Sequence, residues 1–235
     1  MTHMHIPDGI LPLWLWLSGF IVLLIASGFS LFALRAMDMK KKIPLLGALS
    51  AVMLVAMSLE ILPIAYHINL SVVAGILLGP ALGFVAALIA NLILALMGHG
   101  GITVIGLNTI LLGSEAVVGH ALFSLFGNRF PVFWRAATVT VLTLLVTTLL
   151  LIGIVAASNM NPVQFVAHGD EHAPAGRVSV SLFAVMAFSL GSLGWIIEAA
   201  ITGFVVKFIS KVKPDLLDHA LHEKPFPQNT GDAGD

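Results

Sequence analysis

An all-α, polytopic membrane helix bundle of about seven segments is the fold class this sequence predicts, and three observations predict it. Hydrophobic residues make up 58% of the 235-residue chain and charged residues only 10%, against the near-even apolar share and quarter-charged makeup of soluble domains. The mean hydropathy of +1.02 says the same of the chain as a whole: its surface must match lipid. Long apolar runs recur along it, and lysines and arginines gather in a few clusters between them.

The apolar runs cover residues 11–34, 43–65, 70–79, 81–97, 102–126, 132–157 and 180–208. The first lacks the positive n-region of a signal peptide and is long enough to span, so it is read as a retained first span. The third has about ten residues, too few for a full helical crossing. It is a half-helix, a tilted segment buried in the bundle, or part of a longer kinked span, and charge decides how to count it. Arg35, Lys40, Lys41 and Lys42 follow the first run, Arg129 and Arg135 the fifth, and Lys207, Lys211 and Lys213 the last. The positive-inside rule puts all three clusters in the cytoplasm only if the third run counts as a crossing. Arg177 is then the only basic residue outside, the N-terminus is outside and the C-terminus cytoplasmic. Residues 1–10 become an outer arm, 11–213 the transmembrane bundle, and 214–235 a largely disordered cytoplasmic tail with Pro225, Pro227, Asn229, Gly231 and Gly234.

Composition also narrows function. A formal net charge of -1 supplies no surface for nucleic acid, which needs a large positive excess. The sequence contains no cysteine, so disulfides, thiolate metal sites and thiol nucleophiles are excluded and any metal must be held by nitrogen or oxygen. Nine histidines remain. The charge-derived topology places His3, His5, His67, His99, His168 and His172 on the outer side, although histidine was not used to build it.

The chain begins Met1-Thr2-His3-Met4-His5-Ile6-Pro7-Asp8-Gly9. A histidine at position two of a chain offers the terminal amine, its own deprotonated amide nitrogen and imidazole Nδ1, three nitrogens in one plane. A fourth nitrogen completes a tetragonal set suited to Ni(II) or Cu(II), with Co(II) as a competitor. A start at Met4 makes His5 residue two and His67 the natural fourth ligand. A retained Met1 makes His3 residue three, sufficient in itself, and removal of Met1 makes His3 residue two. The alternative is a solvated arm with ordinary histidines. Pro7 and Gly9 favour a turn that folds the arm back over the mouth.

These residues resemble the substrate-binding membrane subunit of energy-coupling factor nickel and cobalt transporters. Met4-His5-Ile6-Pro7-Asp8-Gly9 is similar to that family's N-terminal motif, and His67 followed by Gly75-Ile76-Leu77-Leu78-Gly79-Pro80 to its second-histidine region. Gly98-His99-Gly100-Gly101-Ile102-Thr103 and Gly106-Leu107-Asn108-Thr109 resemble its central signature. Glu198-Ala199-Ala200-Ile201-Thr202-Gly203 and Val212-Lys213-Pro214-Asp215-Leu216-Leu217 resemble its closing helix and basic exit. The resemblance implies Ni2+ or Co2+ as transported substrate, no resident cofactor, and ligation through Met4, His5 and His67. It implies a transmembrane coupling subunit, two ATPase subunits and a small accessory membrane subunit as partners. It also implies a place in a prokaryotic cytoplasmic membrane and a supply of metal to cobalamin biosynthesis. Three residues precede Met4, and Ile64-Ala65-Tyr66 stands where many relatives have a Gly-Thr-Ser turn.

Further residues invite other readings. His99, in a glycine-rich turn, is a ligand, a gate, or the incidental imidazole of a tight connection. Asn108 either orients a ligand imidazole or is a plain interhelical hydrogen-bond partner. Glu60, Glu115, His120 and Glu198 lie within apolar runs, where ionisable groups mark a functional site or a buried pair. Glu60, Glu115 and Glu198 motivate a rival function, a proton-coupled secondary carrier for a divalent cation. An enzyme is not expected: His168-Gly169-Asp170-Glu171-His172 is not His-Glu-x-x-His, and Ser114, Glu115 and His120 lack a nucleophile elbow. No G-x-x-x-x-G-K-[ST] loop is present, so ATP-driven transport requires its motor in another subunit. Gly19, Ala26, Ser27 and Gly28 serve either a close contact with that partner or internal packing.

Overall fold

The helices follow the apolar runs closely. The computed structural model describes residues 11–35, 39–58, 67–158 and 179–217, and no strand occurs among them. The elements are α1 (Leu13–Leu34), α2 (Met39–Ser58), α3 (Ser71–Leu78), α4 (Pro80–Leu96), α5 (Ile105–Phe126), a 3-10 turn (Gly127–Arg129), α6 (Val132–Ser158) and α7 (Val180–Val212). Four of them, α1, α5, α6 and α7, are long and apolar enough to cross a membrane, whereas α2 and α4 are shorter. Helix α3 has 8 residues and rises about 12 Å, well short of the roughly 30 Å hydrocarbon layer. All eight are buried, so the short third run is a half-helix enclosed by protein.

Local chemistry sets the boundaries. Helix α3 stops at Gly79, whose φ of 83° suits glycine, and Pro80 opens α4 at a position where its missing N–H is no loss. Helix α4 ends in a Schellman turn: Gly98 N–H donates to the Ala95 carbonyl at 3.1 Å and His99 N–H to the Leu94 carbonyl at 2.9 Å, with Gly98 at φ 84°. Ser179 Oγ accepts from Leu182 N–H at 3.2 Å and caps α7. Gly127, at φ 53°, ends α5, and the buried Arg135 donates through Nε (2.9 Å) and Nη2 to the Phe123 carbonyl in its last turns. Its guanidinium lies 3.7 Å from the centroid of the Phe123 ring.

Helix α5 is the centre of the bundle and packs against α1, α3, α4 and α6, while α6 and α7 form the most extensive helix pair. Close contacts depend on residues without a Cβ. A Cβ on Gly75 would lie 2.0 Å from the Ala116 carbonyl oxygen, and one on Gly106 would lie 2.6 Å from the Gly19 carbonyl carbon. Gly19 is therefore used for internal packing, whereas Gly28 has nothing within 4 Å of a notional Cβ.

Two apolar clusters define the ends of the bundle. At one end Leu11 and Leu15 gather with Val104, Leu107 and Leu111, with Leu151 and Val155, and with Phe183. At the other, Phe123, Ala136, Val139 and Val206 gather with Val72, Val73, Ile76 and Leu77 of α3. Leu217, from the helical turn after α7, joins this second cluster. Every described lysine and arginine belongs to this second end, where α1, α5 and α7 finish and α2 and α6 begin. Arg177 lies outside the described residues.

Candidate metal centre

Of Met4, His5 and His67, the described residue is His67, in the irregular segment from His67 to Leu70 that leads into α3. His67 is half-buried, and Ile68 and Asn69 are buried. Asn69 fixes the segment. Its Oδ1 accepts from Ser71 N–H at 2.8 Å, an Asx turn that starts α3, and also from the Ser71 hydroxyl. Its Nδ2 donates to Glu115 Oε2. The other carboxyl oxygen of Glu115 accepts from Thr147 Oγ1 of α6 at 3.2 Å. A chain of side-chain hydrogen bonds thus runs from α6 through α5 to a residue two places from His67. Glu115 lies ten residues beyond Ile105, roughly 15 Å of helix rise, so this segment enters the bundle to about its middle.

The first described residues of the chain pack near the same stretch of α5. Met4, His5 and His3 lie outside the described residues, as does Glu60. Leu11 belongs to the cluster built on Val104, Leu107 and Leu111, and Leu111 is one turn from Glu115. An extended chain covers about 3.4 Å per residue, so the six residues from His5 to Leu11 reach about 20 Å.

Asn108 is buried, seven residues before Glu115 on the same face of α5. Its neighbour Thr109 accepts from Asn91 Nδ2 at 2.8 Å, and Asn91 also donates to the Ile105 carbonyl at 3.2 Å; this pair holds α4 to α5. The side chain of His99 is exposed, and its backbone serves the Schellman turn described above. Nδ1 of His120 donates to the Gly75 carbonyl at 3.1 Å, and Nε2 lies 3.5 Å from Ser124 Oγ. Ser114 donates to the Leu111 carbonyl at 2.7 Å, a local helix bond. Glu198 is fully buried in α7. Among the described residues no three His, Cys, Asp or Glu side chains converge as a metal site; of the candidate ligands, His67, His99 and Asn108 are described.

The sequence reading did not single out Asn69 or Thr147. The signal for Asn69 was its place two residues before Ser71 at a helix start. For Thr147 it was the polar spacing Thr140, Thr143, Thr147 within an apolar run, all three buried.

Comparison with known proteins completes the picture. The CbiM family model, described as "Cobalt uptake substrate-specific transmembrane region", matches residues 5–216. A protein of Haloquadratum walsbyi described as a metal transport protein is 30% identical over 230 residues, 91% of this chain and 93% of its own length. The cobalt transport protein CbiM of Clostridium tetani is 27% identical over 222 residues, 88% of this chain and 86% of its own length. Among solved structures, a truncated transition metal transporter is similar in fold at a TM-score of 0.75 and 21% identity, covering 89% of this chain and 99% of that one. A second transition metal transporter gives a TM-score of 0.74 at 21% identity, covering 89% and 93%. The chain belongs to the CbiM family of cobalt uptake substrate-specific transmembrane regions.

Proposed function

We propose that this chain is the metal-capture membrane component of an ATP-driven, energy-coupling-factor-type uptake system for Ni2+ and/or Co2+. The observation that carries the reading is convergence on α5: the arm that bears Met4 and His5 joins the bundle at Leu11, beside Leu107 and Leu111, and the His67 segment is tied to Glu115 one turn further on. In this reading the terminal amine and amide nitrogens at the Met-His start, with the His5 and His67 imidazoles, hold the ion, which is substrate rather than resident cofactor. Asn108, on the same face of α5, is suited to orient one of the imidazoles.

The positive-inside rule places the basic end in the cytoplasm of a prokaryotic cell and the arm outside, with seven segments when the α3 region is counted as one. Residues 1–10 then form the outer arm, 11–213 the bundle and 214–235 the cytoplasmic tail. Hydrolysis falls to two ATPase subunits, joined through a transmembrane coupling subunit and accompanied by a small accessory membrane subunit. The geometry favours capture over a proton-coupled carrier, because both oxygens of Glu115 are engaged between helices.

The test is equilibrium binding of Ni(II) and Co(II) to native, N-acetylated and His67→Ala protein, with the mature N-terminus mapped by mass spectrometry. Acetylation and His67→Ala should each weaken binding by more than about 100-fold, the upper end of the effect of losing an outer partner. Undiminished affinity after acetylation removes the amine chelate. Proton-coupled metal uptake by the purified chain alone in liposomes favours the carrier.

A further inference from the structure

We propose that Glu115 and Asn69 are positioning residues for His67, fixing the segment that presents its imidazole as a metal ligand. The proposal rests on the reading of His67 as a ligand and adds residues that act through it.

Asn69 and Glu115 are buried, 0% and 2% exposed, and polar groups so placed in an apolar bundle call for an explanation. Stability is a weak one, because interhelical hydrogen bonds in membrane proteins contribute little net free energy. Position is a stronger one. The Asn69 carboxamide is oriented from both sides, Oδ1 by Ser71 and Nδ2 by Glu115. Glu115 is steadied in turn by Thr147 at 3.2 Å. Only Ile68, itself buried at 8% exposure, separates Asn69 from His67. A rotation of the Asn69 peptide is therefore passed to His67 across the single buried residue Ile68. A binding constellation must be held to about 0.5 Å and 10–20°, and a free loop does not do that. Irregular backbone inside a membrane bundle also needs enclosing protein; Glu115 provides the anchor, from the helix against which Leu11 and Leu15 also pack.

The experiment measures Ni(II) affinity and the Ni(II) ligand-field absorption of the full-length chain in detergent. Asn69→Leu and Glu115→Leu should each lower affinity about 10–100-fold and shift the absorption band toward that of His67→Ala. Glu115→Gln, which keeps a carbonyl acceptor for Asn69, should restore most of the affinity. In a His67→Ala background the Leu substitutions should have no further effect, because residues that act through one another are not additive. Native-like binding by Glu115→Leu, or an undiminished loss in the His67→Ala background, overturns the positioning role and leaves His67 as a ligand. Full affinity of His67→Ala overturns the ligand reading itself. If the Leu variants do not fold, the isosteric Thr147→Val decides: severalfold weaker binding supports the proposal and native binding refutes it.

Discussion

Gly75→Ala tests the packing that holds the candidate site. The new Cβ would lie 2.0 Å from the Ala116 carbonyl oxygen, 2.7 Å from its carbonyl carbon and 2.8 Å from its Cα, whereas ordinary contact begins near 3.4 Å. These are backbone atoms of α5 and cannot rotate away, so α3 must move by about 1.4 Å, the difference between the ordinary and the imposed oxygen distance. Such a shift stretches the 3.1 Å bond from His120 Nδ1 to the Gly75 carbonyl beyond hydrogen-bond range. Overpacking costs about 1–3 kcal/mol and a lost hydrogen bond about 1 kcal/mol, so the variant should lose about 2–4 kcal/mol of stability. The assay is unfolding of the purified protein by SDS titration in mixed micelles, read by circular dichroism. Gly28→Ala is the control: its Cβ meets nothing within 4 Å, and helix propensity alone favours it by about 1 kcal/mol. A Gly75→Ala midpoint equal to that of Gly28→Ala would refute the packing argument. Unfolding that moves without a loss of metal affinity would break the link between α3 and His67.

Two further predictions concern the basic end and the protons at the site. Arg135→Met removes the donors to the Phe123 carbonyl and should cost about 1.5–3 kcal/mol in the same unfolding assay. Arg135→Lys should recover only part of this, because an ammonium cannot reproduce a two-nitrogen contact stacked on a ring. Metal binding should weaken as pH falls, since amine, amide and imidazole nitrogens bind metal only after losing their protons. Calorimetry in buffers of different ionisation enthalpy should show proton release on binding, and a heat independent of buffer would count against a nitrogen chelate.

The helices were legible because lipid imposes a crude code of apolar length broken by charge. The run 132–157 became Val132–Ser158, and the run 102–126 became Ile105–Phe126. The first three residues of the fifth run, Ile102, Thr103 and Val104, instead belong to the connection after α4. Helix α7 continues to Val212, past the predicted 208, because Lys207 and Lys211 are acceptable at a helix end near the interface. Hydropathy could flag the run 70–79 as short but could not place it. Its placement depends on Gly75 and Gly83 fitting against Ala116, a contact between segments far apart in sequence. His67 and Glu115 were conspicuous as ionisable groups, but Asn69 was not: an asparagine before a helix reads as an ordinary start signal. Its second duty, toward Glu115, is a matter of tertiary geometry.

The shortness of α3 and the burial of Glu115 explain each other. A third helix of full length would satisfy its own backbone throughout and would leave His67 in a surface loop, where nothing fixes an imbalance of angle or depth. Starting α3 at Ser71, in the interior, brings the non-helical residues His67 to Leu70 into the bundle, where such backbone is tolerated only when protein encloses it. The enclosure needs a polar anchor at that depth, and Glu115 supplies it from the central helix, with Thr147 behind it. The same half-helix leaves room for α4 to return beside α5, tied by Asn91 to Thr109 and to the Ile105 carbonyl. Lengthening α3 at its N-terminus by one helical turn, with apolar residues inserted between Leu70 and Ser71, should therefore preserve helix content. It should abolish metal binding if His67 is a ligand, because it rotates and displaces His67 relative to α5; retained affinity would refute the role of His67.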